Sequence, residues 1–286
     1  MYIQNQCIPC MTKALVKLAE KVSSTKEVQR DIIEHGLTLL SKSPYGRTSP
    51  EVTADIYRYA KEASGNTDPY KEEKDKYNRI AEKLIDELCL EERVRTSDFP
   101  LETAVRLSIA GNIIDYSLGH DVDQSSVVDS INESLKTDLF GMNIRAFEQA
   151  VADANRIMIL SDNAGEIVFD RLLVDQLPKE KIIYVVKKGA IVNDANMEDA
   201  ITSGMIQRVK VIDNGTSIQG TVLTACSDQF KNEFHKSDLI ISKGQANFET
   251  LEAIKDKTIY YLFRAKCEVI ANQAGCEHGD FVFMKN

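Results

Sequence analysis

Five short apolar runs in the second half of the chain, each closed by polar residues and followed by a helical pattern, fix the class of fold. They are residues 156–160, 182–186, 209–212, 239–241 and 259–263. Runs this short and this rich in β-branched residues read as buried strands. Strands that alternate with helices build βαβ units, and those build a parallel sheet. The expected fold is therefore α/β, a mostly parallel sheet with flanking helices in the C-terminal half. Ahead of it the chain reads as helix almost throughout, over 11–22, 26–40, 49–63, 70–92, 100–116, 123–135 and 143–153. Ser49-Pro50-Glu51 marks one start, an N-cap followed by proline in the first turn. A helical domain at 1–150 and an α/β metal- and phosphate-binding domain at 151–286 follow from this reading.

The segment after the first strand carries the most chemistry. Ser161-Asp162-Asn163-Ala164-Gly165-Glu166 stands between Leu160 and the apolar Ile167-Val168-Phe169-Asp170-Arg171-Leu172-Leu173, which reads as an amphipathic helix. In open α/β sheets ligands bind outside the carboxyl ends of the strands. A carboxylate and a carbonyl oxygen there suit a hard cation, and the free N–H groups of a helix start suit an anion. Helix capping alone also selects Ser, Asp and Asn. Two such residues followed by Gly165 and Glu166 exceed what a cap requires, so a site is expected here.

Other strand ends add to it. Asp194, in Asn193-Asp194, is placed to complete a metal shell with Asp162 and Asn163. Oxygen-rich ligation suits Mg²⁺ or Mn²⁺, with Co²⁺ and Ni²⁺ also open. Lys243 and Lys266 each follow a strand and together would clamp a phosphate. Asp213-Asn214-Gly215 reads equally as a turn and as the edge of a site. Arg264 is a candidate to pair with a structural carboxylate. In the helical half, Asn112 and Asp115 share a helix face, which reads equally as a polar face with local hydrogen bonds and as part of the pocket, and Gly111 inside an apolar helix points to close packing or to approach to the site. Cys7-Ile8-Pro9-Cys10 is a lone CxxC without the further ligands of a closed zinc site.

Composition narrows the partners. The 286 residues carry a net charge of −9, which argues against nucleic acid or an anionic membrane. A small anionic substrate gathered by local lysines fits better. No start resembling a signal peptide and no apolar stretch of membrane-spanning length is read, so a soluble, cytoplasmic protein is expected. Six cysteines at irregular spacing do not describe a disulfide framework. P-loop, dinucleotide-binding and nucleophile-elbow motifs are all missing.

Taken together, the CxxC, Gly111-Asn112-x-x-Asp115, Asp162-Asn163-Ala164-Gly165-Glu166, Asn193-Asp194, Lys243-Gly244-Gln245-Ala246-Asn247-Phe248-Glu249 and Arg264-Ala265-Lys266-Cys267 resemble the metal-dependent damage-control phosphatases, formerly domain of unknown function eighty-nine. The resemblance runs over nearly the whole chain. It implies a divalent metal on Asp162, Asn163 and Asp194, with Lys266 near the phosphate, and hydrolysis of small phosphorylated metabolites such as sugar phosphates. Lys-Gly-Gln-x-Asn replaces the Lys-Gly-Asp-x-Asn of other branches. The expected site adds Lys243 as a second cation, Asp213 or Glu166 to orient water, and Asn112, Asp115, Gly165 and Asn247 to contact substrate. Two rival readings are an S-adenosylmethionine-dependent carboxyl methyltransferase and a non-catalytic metal- or nucleotide-binding module.

Overall fold

A computed structural model describes residues 1–42, 45–113 and 124–286. The first three helices, α1 (Cys7–Val22), α2 (Lys26–Ser41) and α3 (Ser49–Ser64), form a group of their own. The start of α3 lies one residue earlier than its sequence suggests. Thr48, not Ser49, is the cap, accepting from the Glu51 amide while Glu51 accepts from the Thr48 amide, which satisfies two otherwise orphaned donors. Then come α4 (Lys71–Glu87), α5 (Leu90–Arg95), α6 (Pro100–Ala110), α7 (Gln124–Ser134) and α8 (Ile144–Asp153). The continuous helix expected over 70–92 is broken at Cys89, whose φ of 50° is left-handed. Helix α6 tightens into a 3₁₀ turn at Gly111–Ile113. A Cβ on Gly111 would lie 3.0 Å from Phe169, so the close packing expected of this glycine is present.

The remaining elements alternate as β1 (Ile157–Leu160), α9 (Glu166–Val174), β2 (Ile182–Val186), α10 (Met197–Thr202), β3 (Lys210–Asp213), α11 (Asp228–Lys236), β4 (Leu239–Lys243), α12 (Gln245–Leu251), β5 (Thr258–Arg264), α13 (Glu268–Ala274) and β6 (Phe281–Lys285). The six-stranded sheet has the order β3-β2-β1-β4-β5-β6. All pairings are parallel except β5 with β6. The antiparallel edge strand β6 is an addition to the expected five. The strand order reverses between β1 and β4, so the crevice at their carboxyl ends is the switch point where such sheets bind ligands.

Strands β1, β2, β4 and β5 are buried on both faces along nearly all their length, as parallel sheets require. Ile157 and Ile159 point into a core shared with α4, α5, α6, α8 and α9, while Met158 and Leu160 point into one shared with α11, α12 and α13. A third cluster joins α1–α3 to Ile191 and Val192 in the loop after β2. The core is thus not divided at residue 150: helices of the first half complete one face of the sheet. Helix α9 departs from the amphipathic expectation. It is buried over its whole length, Asp170 and Arg171 included, because helices from the first half cover the side that would otherwise face water. No helix among the described residues is long and apolar enough to cross a membrane.

Candidate functional site

Three loops meet at the switch point. The first leaves β1 as Ser161-Asp162-Asn163-Ala164-Gly165 and enters α9, with Gly165 at φ 80° and its amide donating to Asn78 Oδ1 at 2.6 Å. The second leaves β2 and returns through Asn193 and Asp194. Backbone bonds stitch the two together: Ala195 N–H to the Asp162 carbonyl at 2.8 Å, and Ala164 N–H to the Asn193 carbonyl at 2.9 Å. Asn163 and Asp194 form an antiparallel bridge. The third begins at Gly244 after β4, with φ 77°. A Cβ there would sit 2.0 Å from the Asp162 carboxylate. Only glycine lets that carboxylate lie against the chain.

Asp162, Asn163 and Asp194, expected together from their strand ends, are brought together and buried. Asp194 accepts from Gln219 Nε2 at 3.2 Å and lies 3.6 Å from the ammonium of buried Lys187. Asp162 accepts from Asn112 Nδ2 at 2.8 Å and from Asn163 Nδ2 at 2.9 Å. Asn112 reaches a second carboxylate too, Glu166 Oε2 at 2.7 Å. Behind Glu166 stands Lys243, donating to Glu166 Oε1 at 2.5 Å and to Asp170 Oδ1. Asp170 also accepts from Ser108 and Tyr184, both at 2.7 Å. Burial pushes the Glu166 carboxyl up, against the pull of Lys243. Burial alone would lower Lys243, but Asp170 and Glu166 outweigh it and hold the ammonium above its usual range.

This network corrects several expected roles. The Lys243 ammonium is fully buried and held by two carboxylates, so it does not face a ligand in the crevice. Glu166 is equally buried and engaged, and supports Asn112 rather than standing free to orient water. Asn247 ties loops together, donating to the Ser161 and Lys243 carbonyls and accepting from Thr221 Oγ1. Asp213 accepts from the Gly215 amide at 2.9 Å and closes a turn. Asn112 binds the site's carboxylates through its amide; Asp115 lies outside the described residues. Arg264 packs over Phe281 and lies 3.8 Å from Glu133.

Lys266 follows β5, its amide donating to Gln245 Oε1 at 3.1 Å. It lines a cavity of about 790 Å³ that also touches Asp162, Asn163 and Gln245, and that α1 and α3 cover from above. Cys7 and Cys10 line the same cavity and are free thiols. Of the residues that build the site, Lys187, Gly244 and Asp170 had no role assigned to them from the sequence. The first two stand at strand ends, the signal used for their neighbours. Asp170 is an acid among the apolar residues of α9.

Whether these residues suit a cation is a question of charge and donors. Among the described residues no three His, Cys, Asp or Glu side chains form a metal-holding group; the candidate set is two carboxylates and one amide. The buried carboxylates here are Asp162, Glu166, Asp170 and Asp194, and the buried ammonium groups are Lys187 and Lys243. Carboxylates crowded into a buried site are costly to keep ionised, and a divalent cation on hard oxygen donors would offset that cost. The donors fit such a group.

Comparisons with known proteins establish the family and the fold. A profile of the damage-control phosphatase ARMT1-like domain matches residues 3–282. The chain is 36% identical to an uncharacterized protein of Methanocaldococcus jannaschii, over 99% of this chain and 95% of that one. It is 32% identical to a damage-control phosphatase of Pyrococcus horikoshii, over 100% of this chain and 99% of that one. The crystal structure of a DUF89 family protein from Pyrococcus horikoshii superposes with a TM-score of 0.89 at 31% identity, covering 100% of this chain and 99% of that one.

Proposed function

The chain belongs to the damage-control phosphatase ARMT1-like family, and we propose that it is a metal-dependent phosphatase releasing inorganic phosphate from small phosphorylated metabolites. The observation that supports this most is the meeting of Asp162, Asn163 and Asp194 in a buried group of hard oxygen donors, beside a cavity that Asp162, Asn163 and Lys266 line. Asp162, Asn163 and Asp194 would hold the cation. When bound it would polarise a phosphoryl oxygen and lower the pKa of a water.

The chain's own residues supply the rest. Asn112 and Gly244 hold the Asp162 carboxylate in one place before any ligand arrives. Gln219 and Lys187 do the same for Asp194. Lys266, which lines the same cavity, would bring its ammonium to the phosphoryl oxygens and neutralise the charge that grows on them as water attacks phosphorus and the P–O bond to the alcohol breaks. Charges fixed in advance stabilise a transition state without reorganising during it.

The test is phosphate release from a generic phosphomonoester by chelator-treated protein, with Mg²⁺, Mn²⁺, Co²⁺ or Ni²⁺ restored one at a time. Release with at least one cation, lost again on adding chelator, is expected. No release with any cation, or equal release in excess chelator, would remove the reading. The same assay separates hydrolysis from methyl transfer and from passive metal binding, since neither of those yields phosphate.

A further inference from the structure

Asp162 and Lys266 come from different loops, and the turn that opens α12 touches both. Gly244 takes the Asp162 carboxylate into the space of its missing Cβ. The next residue, Gln245, accepts from the Lys266 amide through Oε1 at 3.1 Å and donates through Nε2 to Glu249 Oε1 at 3.2 Å. A backbone N–H can only donate, so the carboxamide oxygen must face Lys266 and its nitrogen must face Glu249. Glu249 is buried, with the Ser49 side chain as a further partner. The Lys266 amide sits where regular backbone pairing has ended. Strand β5 pairs with β6 as far as Arg264, and Ala265 still donates to the Asp280 carbonyl at 3.0 Å and accepts from the Gly279 amide at 2.8 Å. Helix α13 begins only at Glu268. Asn112 makes a matching tie two residues earlier: its Oδ1 accepts from the Arg264 amide at 3.4 Å while its Nδ2 donates to Asp162 and Glu166. Each end of the segment 264–266 is thus fastened through a carboxamide to a buried carboxylate.

We propose that Gln245, oriented by Glu249, is a positioning residue that fixes Lys266 relative to Asp162 and acts on a bound phosphate only through Lys266. The role rests on the phosphate being met by Lys266, as in the reading above. Gln245, Glu249 and Lys266 line the same cavity as Asp162, so the tie is made at the site itself. Misplacing a reacting group by about 1 Å can cost on the order of 10²-fold in rate, which is the scale on which a lost tie would be felt.

The test is a double-mutant cycle between Gln245→Leu, which keeps the bulk of the side chain and neither bond, and Lys266→Ala. With Lys266 present, Gln245→Leu should lower kcat/KM for a generic phosphomonoester by at least about tenfold. With Lys266 already alanine, it should cost less than about threefold more, because residues that act as a unit are not additive. Calorimetric titration of the same four proteins with inorganic phosphate gives a reading independent of turnover. Weaker phosphate binding in Gln245→Leu, absent from the Lys266→Ala background, supports the tie even if no ester is hydrolysed, an outcome that would overturn only the phosphatase reading. Gln245→Glu tests the part of Glu249, since it keeps an acceptor for the Lys266 amide but sets a second carboxylate against Glu249. It should lose activity, and adding Glu249→Gln, which restores a donor between the two positions, should recover most of the loss. If Gln245→Leu does not fold, the cycle with Lys266→Ala is run on Gln245→Glu. Equal losses in both backgrounds, as a direct substrate contact or a purely structural residue would give, overturn the proposal. No loss in either background, or a folded Gln245→Glu, Glu249→Gln double variant no better than Gln245→Glu, overturns it too.

Discussion

Gly244 shows how one backbone position can decide a site. Its φ of 77° is a conformation that L side chains rarely adopt, and its missing Cβ is the space into which the Asp162 carboxylate fits. Gly244→Ala should therefore both destabilise the fold, by more than the roughly 1 kcal/mol of an ordinary Gly exchange, and displace Asp162. A lower denaturation midpoint together with loss of cation-dependent phosphate release is the expected pair; a variant as active and as stable as wild type would refute the contact. Lys266→Ala tests the other side of the cavity. Removing one preset charge from a transition state costs about 10²–10³ in turnover, so kcat/KM should fall by that order with cation affinity nearly unchanged. Lys266→Arg should rescue poorly, since its planar fork presents charge differently. Near-normal turnover in Lys266→Ala would move phosphate binding elsewhere. Asp162, Asn163 and Asp194 were legible in sequence because strand ends converge at a switch point. Lys243 was misread by the same rule, which says where a residue stands and not where its side chain goes. Strand periodicity puts Lys243 on the face of Leu239 and Ile241, the face that α9 covers.

Helix α9 carries the site's foundation. Glu166 and Asp170 stand one turn apart, both bound to Lys243 from β4, and Arg171 reaches Glu82 on α4 with two bonds of 2.7 and 2.6 Å. Breaking a buried ion pair by removing one member typically costs about 3–5 kcal/mol, because the remaining charge is stranded. Lys243→Met should lower stability by that order in a urea titration, and the triple variant adding Glu166→Gln and Asp170→Asn should recover part of it. If Lys243→Met alone leaves the midpoint unchanged, the network is not holding α9 to the sheet. The existence of α9 was readable from its apolar run, but its complete burial was not, since that depends on helices far earlier in the chain. The break at Cys89 was hidden for a different reason: no glycine or proline marks it. Strand β6 is harder to read because its Phe281-Val282-Phe283 run lacks the helical pattern that follows the other strands.

At the scale of the molecule, the parallel sheet and the preceding helical half were legible from the alternation of short apolar runs. The placing of α1–α3 over the strand ends was not, because contacts such as those of Ile191 and Val192 with the first three helices span most of the sequence. That placing brings the CxxC to the cleft without giving it a part in the chemistry assigned to the strand ends. Cys7→Ser with Cys10→Ser should leave phosphate release essentially unchanged in chelator-treated, metal-restored protein; complete loss in a folded double variant would make a thiol part of the reaction. The claim on which the account turns is that Asp162, Asn163 and Asp194 hold one cation that hydrolysis requires. Calorimetric titration of metal-free protein with Mn²⁺, in wild type, Asp162→Ala and Asp194→Ala, with phosphate release followed on the same samples, addresses it most directly. The account predicts one Mn²⁺ per chain in wild type with release rising in step, and neither binding nor release in the two folded variants. Undiminished Mn²⁺ binding in both variants, or release by wild type before any cation is added, would contradict it.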